Sequence, residues 1–557
     1  MQNARKGSLK MRSISQLSFG FNDAVNYKYA NNREILDQIF FHIPLVTERL
    51  LEPQIFFLLG EKGTGKTAHA IYMVNHPLAE DKTHGKQGTS FNNCNLTESE
   101  YRKFVTMKTA GQLGYSSYTD VWSVILYLLL ANQIKEAEIV NRAPITNRLK
   151  FSQLRSAIDE FYNHAFAPEI GQALLLVENS ELALNLLSPN GGVEGKKSVN
   201  LTSPENRVQL NLVNIKRQFE DALGSVKLTR NHTLFIDGID VRPVDIKYDD
   251  YLECVKGLAL AVWQINTEFF PRISGSTGGK LKAVLLLRPD IFNRLNLQNQ
   301  NSKVRDNSVV LDWRTTYADF RTSSLFKVIG RMLSNGQSDT LEEDKSWDAY
   351  FPYKLYNKED DEYSDSSFIG FLRMSLYRPR DIITMLVSLK QLKISKGQDR
   401  ANSFEISDFE ANSFLNEYST YLLGEIKDQL TFYYKHEDYE LFLRFFMYLN
   451  GKSTFSYSEF VDAYSDLIQH INNTKSDKPN FLSSQDEFLQ FLYDLNVMCY
   501  FDFNDSGRRF SRWCFRERTL TSFAPKVRIG AQEYQIHSGL RRELNLTNKG
   551  YKPSSSN

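Results

Sequence analysis

Ile55-Phe56-Phe57-Leu58-Leu59-Gly60-Glu61-Lys62-Gly63-Thr64-Gly65-Lys66-Thr67-Ala68-His69-Ala70-Ile71-Tyr72-Met73 is the stretch whose reading decides the fold. The apolar run before Gly60 has the length of a buried strand, and the residues after Thr67 read as the start of a helix. Between them, Gly60 to Thr67 satisfies G-x-x-x-x-G-K-[ST] at every defined position. Strand, glycine loop and helix in that order make a cradle for phosphate. The glycines let backbone N–H groups wrap the anion, Lys66 places a point charge on the outer phosphate oxygens, and Thr67 brings a hydroxyl to Mg²⁺. The expected cofactor-binding set is therefore Gly60, Glu61, Lys62, Gly63, Thr64, Gly65, Lys66 and Thr67, with ATP and Mg²⁺ as cofactors.

Working outward, the next decisive run is Leu234-Phe235-Ile236-Asp237-Gly238-Ile239-Asp240, a buried apolar strand that ends in an acid. Asp237 is placed to hold the metal opposite Thr67. Gly238 follows it where many ATPases carry a glutamate base, so Asp240 becomes the candidate for polarising the attacking water. A further apolar strand, Ala283-Val284-Leu285-Leu286-Leu287, ends in Arg288-Pro289-Asp290, and an arginine there would sense the γ-phosphate. Gly88 to Leu96 and Ser308 to Asp312 supply two more strands. Short apolar strands separated by helices, such as Asp120 to Ile134, Asp249 to Phe269 and Phe320 to Leu333, imply a five-stranded parallel sheet with both faces covered.

Composition limits the alternatives. The 557 residues are 41% apolar and 24% charged, ordinary for several folded cores, and the net charge of +1 provides no global field toward nucleic acid or anionic lipid. Cys94, Cys254, Cys499 and Cys514 lie far apart without zinc or disulfide spacing, which fits a reducing cytoplasm. The longest apolar run, Val121 to Ala131, is too short to span a bilayer and reads as a buried helix. No membrane partner is expected.

The domain organisation follows from these anchors. Residues 1–16, with Arg5, Lys6, Lys10 and Arg12 among serines, read as a flexible basic tail; residues 17–335 as the ATPase core, in which a helix over Arg33 to His42 either covers the adenine or caps the sheet edge. Within the core, 140–230 exceeds one crossover and reads as an insertion with helices around Phe151 to His164 and Ile170 to Leu187, then a hairpin over Val199 to Thr202 and Val208 to Leu212. Glu194-Gly195-Lys196 has a nuclease-like E-x-K spacing but lies in a glycine-rich loop with no partner aspartate. Residues 336–432 read as a helical lid, with the acidic run Lys358 to Asp365 as a solvated loop, and 433–557 as a winged-helix-like domain. The latter rests on three amphipathic helices, Asp438 to Tyr448, Ser456 to Ile471 and Ser484 to Leu495, and a hairpin joined at Asn504-Asp505-Ser506-Gly507.

The Asp-Gly-Ile-Asp run, the arginine ending the next strand, and Tyr377-Arg378-Pro379-Arg380-Asp381-Ile382-Ile383 opening a helix resemble the STAND and KAP groups of AAA+-related P-loop ATPases. Phe19-Gly20-Phe21-Asn22-Asp23-Ala24 and His537-Ser538-Gly539-Leu540-Arg541 also resemble a family of bacterial P-loop ATPases, many encoded beside anti-phage genes. The resemblance implies that Arg380 stands where a lid arginine contacts nucleotide, with Arg378 as the competing candidate because it replaces the usual asparagine. The implied function is a slow ATPase acting as a self-associating switch, a homo-oligomer that controls an effector protein from a neighbouring gene in anti-phage defence. Two other readings stand beside it. From 501 to 545 there are nine Lys/Arg against five Asp/Glu, so the winged helix of an initiator- or loader-type ATPase would bind DNA phosphates. The absent glutamate after Asp237 suggests a nucleotide-binding scaffold that does not hydrolyse.

Overall fold

A computed structural model describes residues 11–43, 45–80, 87–109, 117–139, 151–156, 158–159, 177, 204–273, 278–337, 341–357, 362–504, 507, 509–519 and 524–547. The chain forms two compact units, one spanning Pro44–Leu311 and the other combining Met1–Ile43 with Asp312–Asn557.

The Pro44–Leu311 unit is an α/β core. Its strands are β1 (Phe57–Leu59), β2 (Thr89–Asn95), β3 (Asn231–Asp237), β4 (Leu281–Leu287) and β5 (Ser308–Val310), in the order β2-β3-β4-β1-β5, with every pairing parallel. β4 is buried along its whole length and β3 over all but its first residue. That explains why they read as continuous apolar runs rather than alternating ones. One polar residue inside β4, Lys282, turns its ammonium onto the backbone oxygens of Leu50 and Glu52 and so closes the C-terminal end of helix Val46–Leu51. Helix Ser117–Gln133 packs between Pro204–Gly224 and Tyr248–Gln264. Trp122 donates to the Cys254 carbonyl at 3.1 Å, and the Tyr127 hydroxyl meets Glu220 at 2.9 Å. After Gln264 the helix widens into a π turn, Ile265–Phe269. Asn266 there bonds Ala283 in both directions, at 2.8 and 3.1 Å, replacing the strand partner that β4 lacks beyond the start of β1.

Pro204–Gly224 is a helix of 21 residues, so the hairpin expected across Val208 to Leu212 is corrected; its first arm, Val199 to Thr202, lies outside the described residues. The alternation Val208-Gln209-Leu210-Asn211-Leu212 mimics a strand. Leu212, however, belongs to a helical stripe with Ile215, Phe219, Ala222 and Leu223, all buried. The helix expected at Ile170 to Leu187 and the Glu194-Gly195-Lys196 loop also fall almost wholly outside the described residues.

In the second unit, helices Ser324–Ser334 and Glu343–Tyr350 cross at Gly330, where a Cβ would stand 2.3 Å from the Glu343 carbonyl oxygen. Trp347, Phe351, Phe368 and Phe371 form its aromatic centre. Residues 11–16, assigned above to a flexible tail, are docked here: Ile14 is buried and donates to the Ala401 carbonyl at 2.8 Å. Glu362 to Asp365, read as solvated loop, belong to strand β7 (Glu362–Ser366), antiparallel to β6 (Lys354–Asn357). Helices Pro379–Ser395 and Asn412–Tyr433 follow.

The last stretch contains helices His436–Tyr448, Tyr457–Thr474 and Gln485–Asp494 around Phe445, Phe460 and Phe488. The second helix starts at a capping box, Ser456 with Glu459, legible as S-x-x-E. The expected hairpin is β9 (Met498–Phe503) with β10 (Arg509–Arg512). It is part of a four-stranded sheet, β10-β9-β11-β8, completed by β8 (Thr454–Phe455) and β11 (Tyr534–Ile536).

Candidate nucleotide site

β1, β4 and β3 lie side by side, and Gly60, Arg288 and Asp237 stand at their carboxyl ends. In an open parallel sheet this is the edge at which ligands bind, where connections from neighbouring strands leave in opposite directions. Here the chain leaves β1 toward β2 on one side and β4 toward β5 on the other.

The glycine loop is shaped by its backbone. Gly63 and Gly65 have φ of 85° and 93°, a region that disfavours side chains, and Gly65 caps helix Lys66–Asn75. A Cβ on Gly60 would stand 2.4 Å from the Thr64 hydroxyl, which itself donates to the Glu61 carbonyl at 2.8 Å. The Lys66 ammonium is folded back into the loop, donating to Gly60 O at 2.8 Å and Glu61 O at 3.3 Å, and lies 3.5 Å from Asp240. These are contacts that a phosphate would replace.

Asp237 accepts from the Gly238 N–H through Oδ1 at 2.8 Å, while its Oδ2 is buried without a hydrogen-bond partner. Burial pushes its carboxyl above the ordinary range; the Thr67 hydroxyl, the Gly238 N–H and Lys66 pull the other way, and Asp240 adds to the rise. Asp240 likewise keeps a buried, unpartnered Oδ1. Two carboxylate oxygens without donors beside a lysine and a threonine hydroxyl are a donor set suited to a hard divalent cation.

Gly238 explains the missing glutamate. Its φ is +84°, and a Cβ there would lie 2.2 Å from the Leu96 carbonyl oxygen and 2.9 Å from the Leu96 nitrogen. The same stretch of backbone is tied by the Leu96 N–H to the Asp237 carbonyl at 2.8 Å. No residue with a side chain fits, so Asp240 is the next acid along the chain that is available to the site.

Arg288, 3% exposed, donates to Asp290 from Nε at 3.0 Å and again from its terminal nitrogen. The bidentate partner two residues on was not anticipated, although Arg-x-Asp across a strand end could have suggested it. A γ-phosphate would have to share this arginine with Asp290.

Arg378 and Arg380 belong to the other unit, at the start of helix Pro379–Ser395, and each is described within that unit. Arg378 is buried and committed to Asp381, with contacts of 2.6, 3.0 and 3.1 Å; the carboxylate also accepts from the Leu376 N–H and the Tyr421 hydroxyl. Arg380 is more open: its Nε donates to the Asn22 carbonyl at 3.0 Å, and its nitrogen lies 3.6 Å from Glu425. Of the two, Arg380 is the one a ligand could recruit without stripping a buried charge pair.

The sequence ends singled out above meet around this helix start. Gly20 at φ +73° lets Tyr27 approach, and the Tyr27 hydroxyl receives the Phe21 N–H at 2.8 Å, which presents Asn22 O to Arg380. From the C-terminal side, His537 Nε2 lies 3.2 Å from the Ser375 carbonyl, while Nδ1 accepts from the Gly539 N–H at 3.2 Å. Those two bonds require the neutral Nε2–H tautomer, in line with a pKa lowered by burial to about 3.

Three arginines of the basic segment are paired with acids of the same segment. Arg509 faces Glu533 at 2.9 Å, Arg512 faces Glu517 at 3.0 Å, and Arg528 faces Asp502 at 2.9 Å. Among the described residues no cluster of His, Cys, Asp or Glu has metal-site geometry, the four cysteines are buried and form no disulfide, and no helix is long and apolar enough to cross a membrane. Comparison with protein families, with curated proteins and with solved structures found no match to this chain.

Proposed function

We propose that the chain is a P-loop ATPase that works as a slow, Mg²⁺- and ATP-dependent switch, with the Pro44–Leu311 unit as its nucleotide core, helix Pro379–Ser395 opening its lid, and 433–557 as a winged-helix module. The observation that carries this reading is the meeting of the Lys66 ammonium, Asp240 and Asp237 at the mouth of the glycine loop, with one oxygen of each acid buried and unpartnered. In this reading Lys66 exchanges the Gly60 and Glu61 carbonyls for phosphate oxygens, and the loop N–H groups hold the anion. Thr67 and Asp237 would hold Mg²⁺, which when bound supplies positive charge against the charge developing on the phosphates. Asp240, released from Lys66, orients the attacking water, and Arg288 divides its donors between Asp290 and the γ-oxygens. Self-association and control of an effector from a neighbouring gene, in anti-phage defence, complete the proposal and rest on the resemblance given above.

Gly238 favours one competing reading, a scaffold that binds ATP without hydrolysing it, since no base can stand directly after Asp237. Both readings require the loop. Lys66→Ala is expected to weaken Mg²⁺·ATP binding by roughly two orders of magnitude or more, the loss of a charge-assisted phosphate contact, while leaving the thermal midpoint near that of the wild type. Titration calorimetry with ATP and a thermal melt test this. Phosphate release by the wild type then separates switch from scaffold, and a Lys66→Ala variant that binds ATP normally would refute both.

A further inference from the structure

A cleft of about 1230 Å³ opens within the second unit, between the segment Asp312–Tyr317, the β9–β10 hairpin and Tyr377. Its walls carry Arg314, Arg509 and Arg516 beside the rings of Tyr317, Phe501 and Phe510. Two of the arginines are already neutralised. Arg314 is clamped to Asp312 by contacts of 2.8 and 2.9 Å, and Arg509 lies on Phe501 at 3.5 Å while facing Glu533.

Arg516 differs. Its terminal nitrogen donates to the hydroxyls of Tyr377 at 2.5 Å and Tyr317 at 3.1 Å, its guanidinium lies 4.7 Å over the Tyr377 ring, and its Nε is buried with no hydrogen-bond partner. No carboxylate of the described residues stands within ion-pair distance of it. A guanidinium without a counter-ion is an expensive thing to enclose unless an anion completes it. The tyrosine hydroxyls accept from Arg516, so at least one O–H remains to donate; with the unpartnered Nε, this corner of the cleft presents donors, and the Asp312 carboxylate on the same wall is taken up by Arg314.

The surroundings specify the anion. A planar guanidinium with flanking hydroxyl donors suits the oxygens of a phosphate, and the exposed Tyr317 ring beside it suits a heterocyclic base, whereas Phe510 is already covered by the Arg512 guanidinium at 4.7 Å. Tyr317 is 37% exposed, and the cleft is large enough for a nucleotide or a short length of strand. We propose that this cleft is a second ligand site, which takes the phosphate of a base-bearing ligand on Arg516 and stacks the base on Tyr317. The inference stands on its own residues and does not need the glycine loop to bind ATP. Its position has a consequence. Tyr377 is held at φ +57°, directly before Arg378-Pro379-Arg380, and a phosphate that draws Arg516 from the Tyr377 hydroxyl loosens the contact holding that strained residue.

The test uses the full chain with Lys66→Ala, in EDTA, so that the glycine loop contributes little. Inorganic phosphate, the four ribonucleoside monophosphates and a five-nucleotide oligo(dT) are titrated in turn by calorimetry. At least one base-bearing probe should bind more tightly than phosphate alone, and Arg516→Met and Tyr317→Ala should each weaken it by roughly tenfold or more. Arg516→Met should leave the ligand-free thermal midpoint unchanged or raised, since it removes an uncompensated charge. If that variant does not fold, Ser511→Glu, which puts a carboxylate on the same wall, serves instead and should weaken binding likewise. Monophosphate binding identifies a free nucleotide as the ligand, and binding of the oligonucleotide alone identifies a strand. Absence of binding by every base-bearing probe at millimolar concentration, or binding that neither Arg516→Met nor Ser511→Glu alters, overturns the proposal.

Discussion

Gly238 follows Asp237 at a point where the backbone leaves no room for a side chain. The Asp-Gly-Ile-Asp run shows that no glutamate follows Asp237, but the reason is conformational, and conformation is not written in a residue name. With φ at +84° and Leu96 O 2.2 Å from any added Cβ, the position is closed to every side chain. Gly238→Glu is therefore expected to lower stability by on the order of 2 kcal/mol or more, from left-handed strain plus displacement of the Leu96 backbone, and to yield no faster hydrolysis. A melt and a phosphate-release assay read both effects. A Gly238→Glu protein as stable as wild type with accelerated turnover would show that the backbone relaxes and that the base was simply absent. The loop residues, by contrast, were legible by identity. Lys66, Thr67 and Asp237 are named by spacing because the chemistry expected of them depends on the residue types and the strand-to-helix context together. What spacing did not supply is where the side chains rest: Lys66 on Asp240 and on the loop carbonyls, Arg288 on Asp290, Arg378 on Asp381.

Elements were legible in proportion to their length and burial. β3 and β4 were plain as apolar runs, and the helices of the C-terminal stretch fell within a few residues of the expected spans. Short polar alternation misled at Val208 to Leu212, because a five-residue window holds too little of a helical period to outweigh a strand pattern. β11 was missed for the opposite reason: Tyr534–Ile536 is three residues long, and its pairing with β8 and β9 is set by tertiary contact. That strand leads into His537, whose ring joins the C-terminal segment to the Ser375 carbonyl just ahead of helix Pro379–Ser395. The buried imidazole titrates near 3, whereas an unfolded histidine titrates near ~6.5. Below that value the unfolded chain binds the extra proton, so the contribution is whole above pH ~6.5 and is lost as the pH falls toward 3, at no more than about 1.4 kcal/mol per pH unit. His537→Gln keeps an N–H donor for Ser375 and does not titrate. Urea midpoints between pH 7.5 and 4.5, followed through the fluorescence of Trp513, whose ring centre is 5.0 Å from His537, should fall less steeply for the variant. Parallel curves for the two proteins would mean that His537 is protonated in the folded state without cost.

At the scale of the whole molecule the proposed switch turns on what a nucleotide would change, and the two arginines of Tyr377-Arg378-Pro379-Arg380 bear on it differently. Arg378 sits in a buried network with Asp381, Tyr421 and Glu425, so recruiting it would leave Asp381, which is fully buried, without its cation. Arg380 gives up one backbone carbonyl and a longer contact to Glu425, a loss that a charge-assisted bond to phosphate can offset. A ligand shifts a conformational equilibrium by its difference in affinity for the two states and by nothing else. An arginine that meets only the γ-phosphate supplies such a difference between ATP and ADP, and the loss of one such contact corresponds to a change on the order of tenfold in the population of the ATP-favoured state. The mass of the wild type by light scattering is thus expected to differ between ADP and a non-hydrolysable ATP analogue. Arg380→Ala should bind ADP as the wild type does and show little of that difference. If the mass of the wild type is the same with either nucleotide, the self-associating switch is wrong whatever the variant does. If the wild type responds and Arg380→Ala responds equally, the γ-phosphate is read elsewhere, and Arg288, whose bond to Asp290 leaves it at the carboxyl edge of the sheet, becomes the residue to change next.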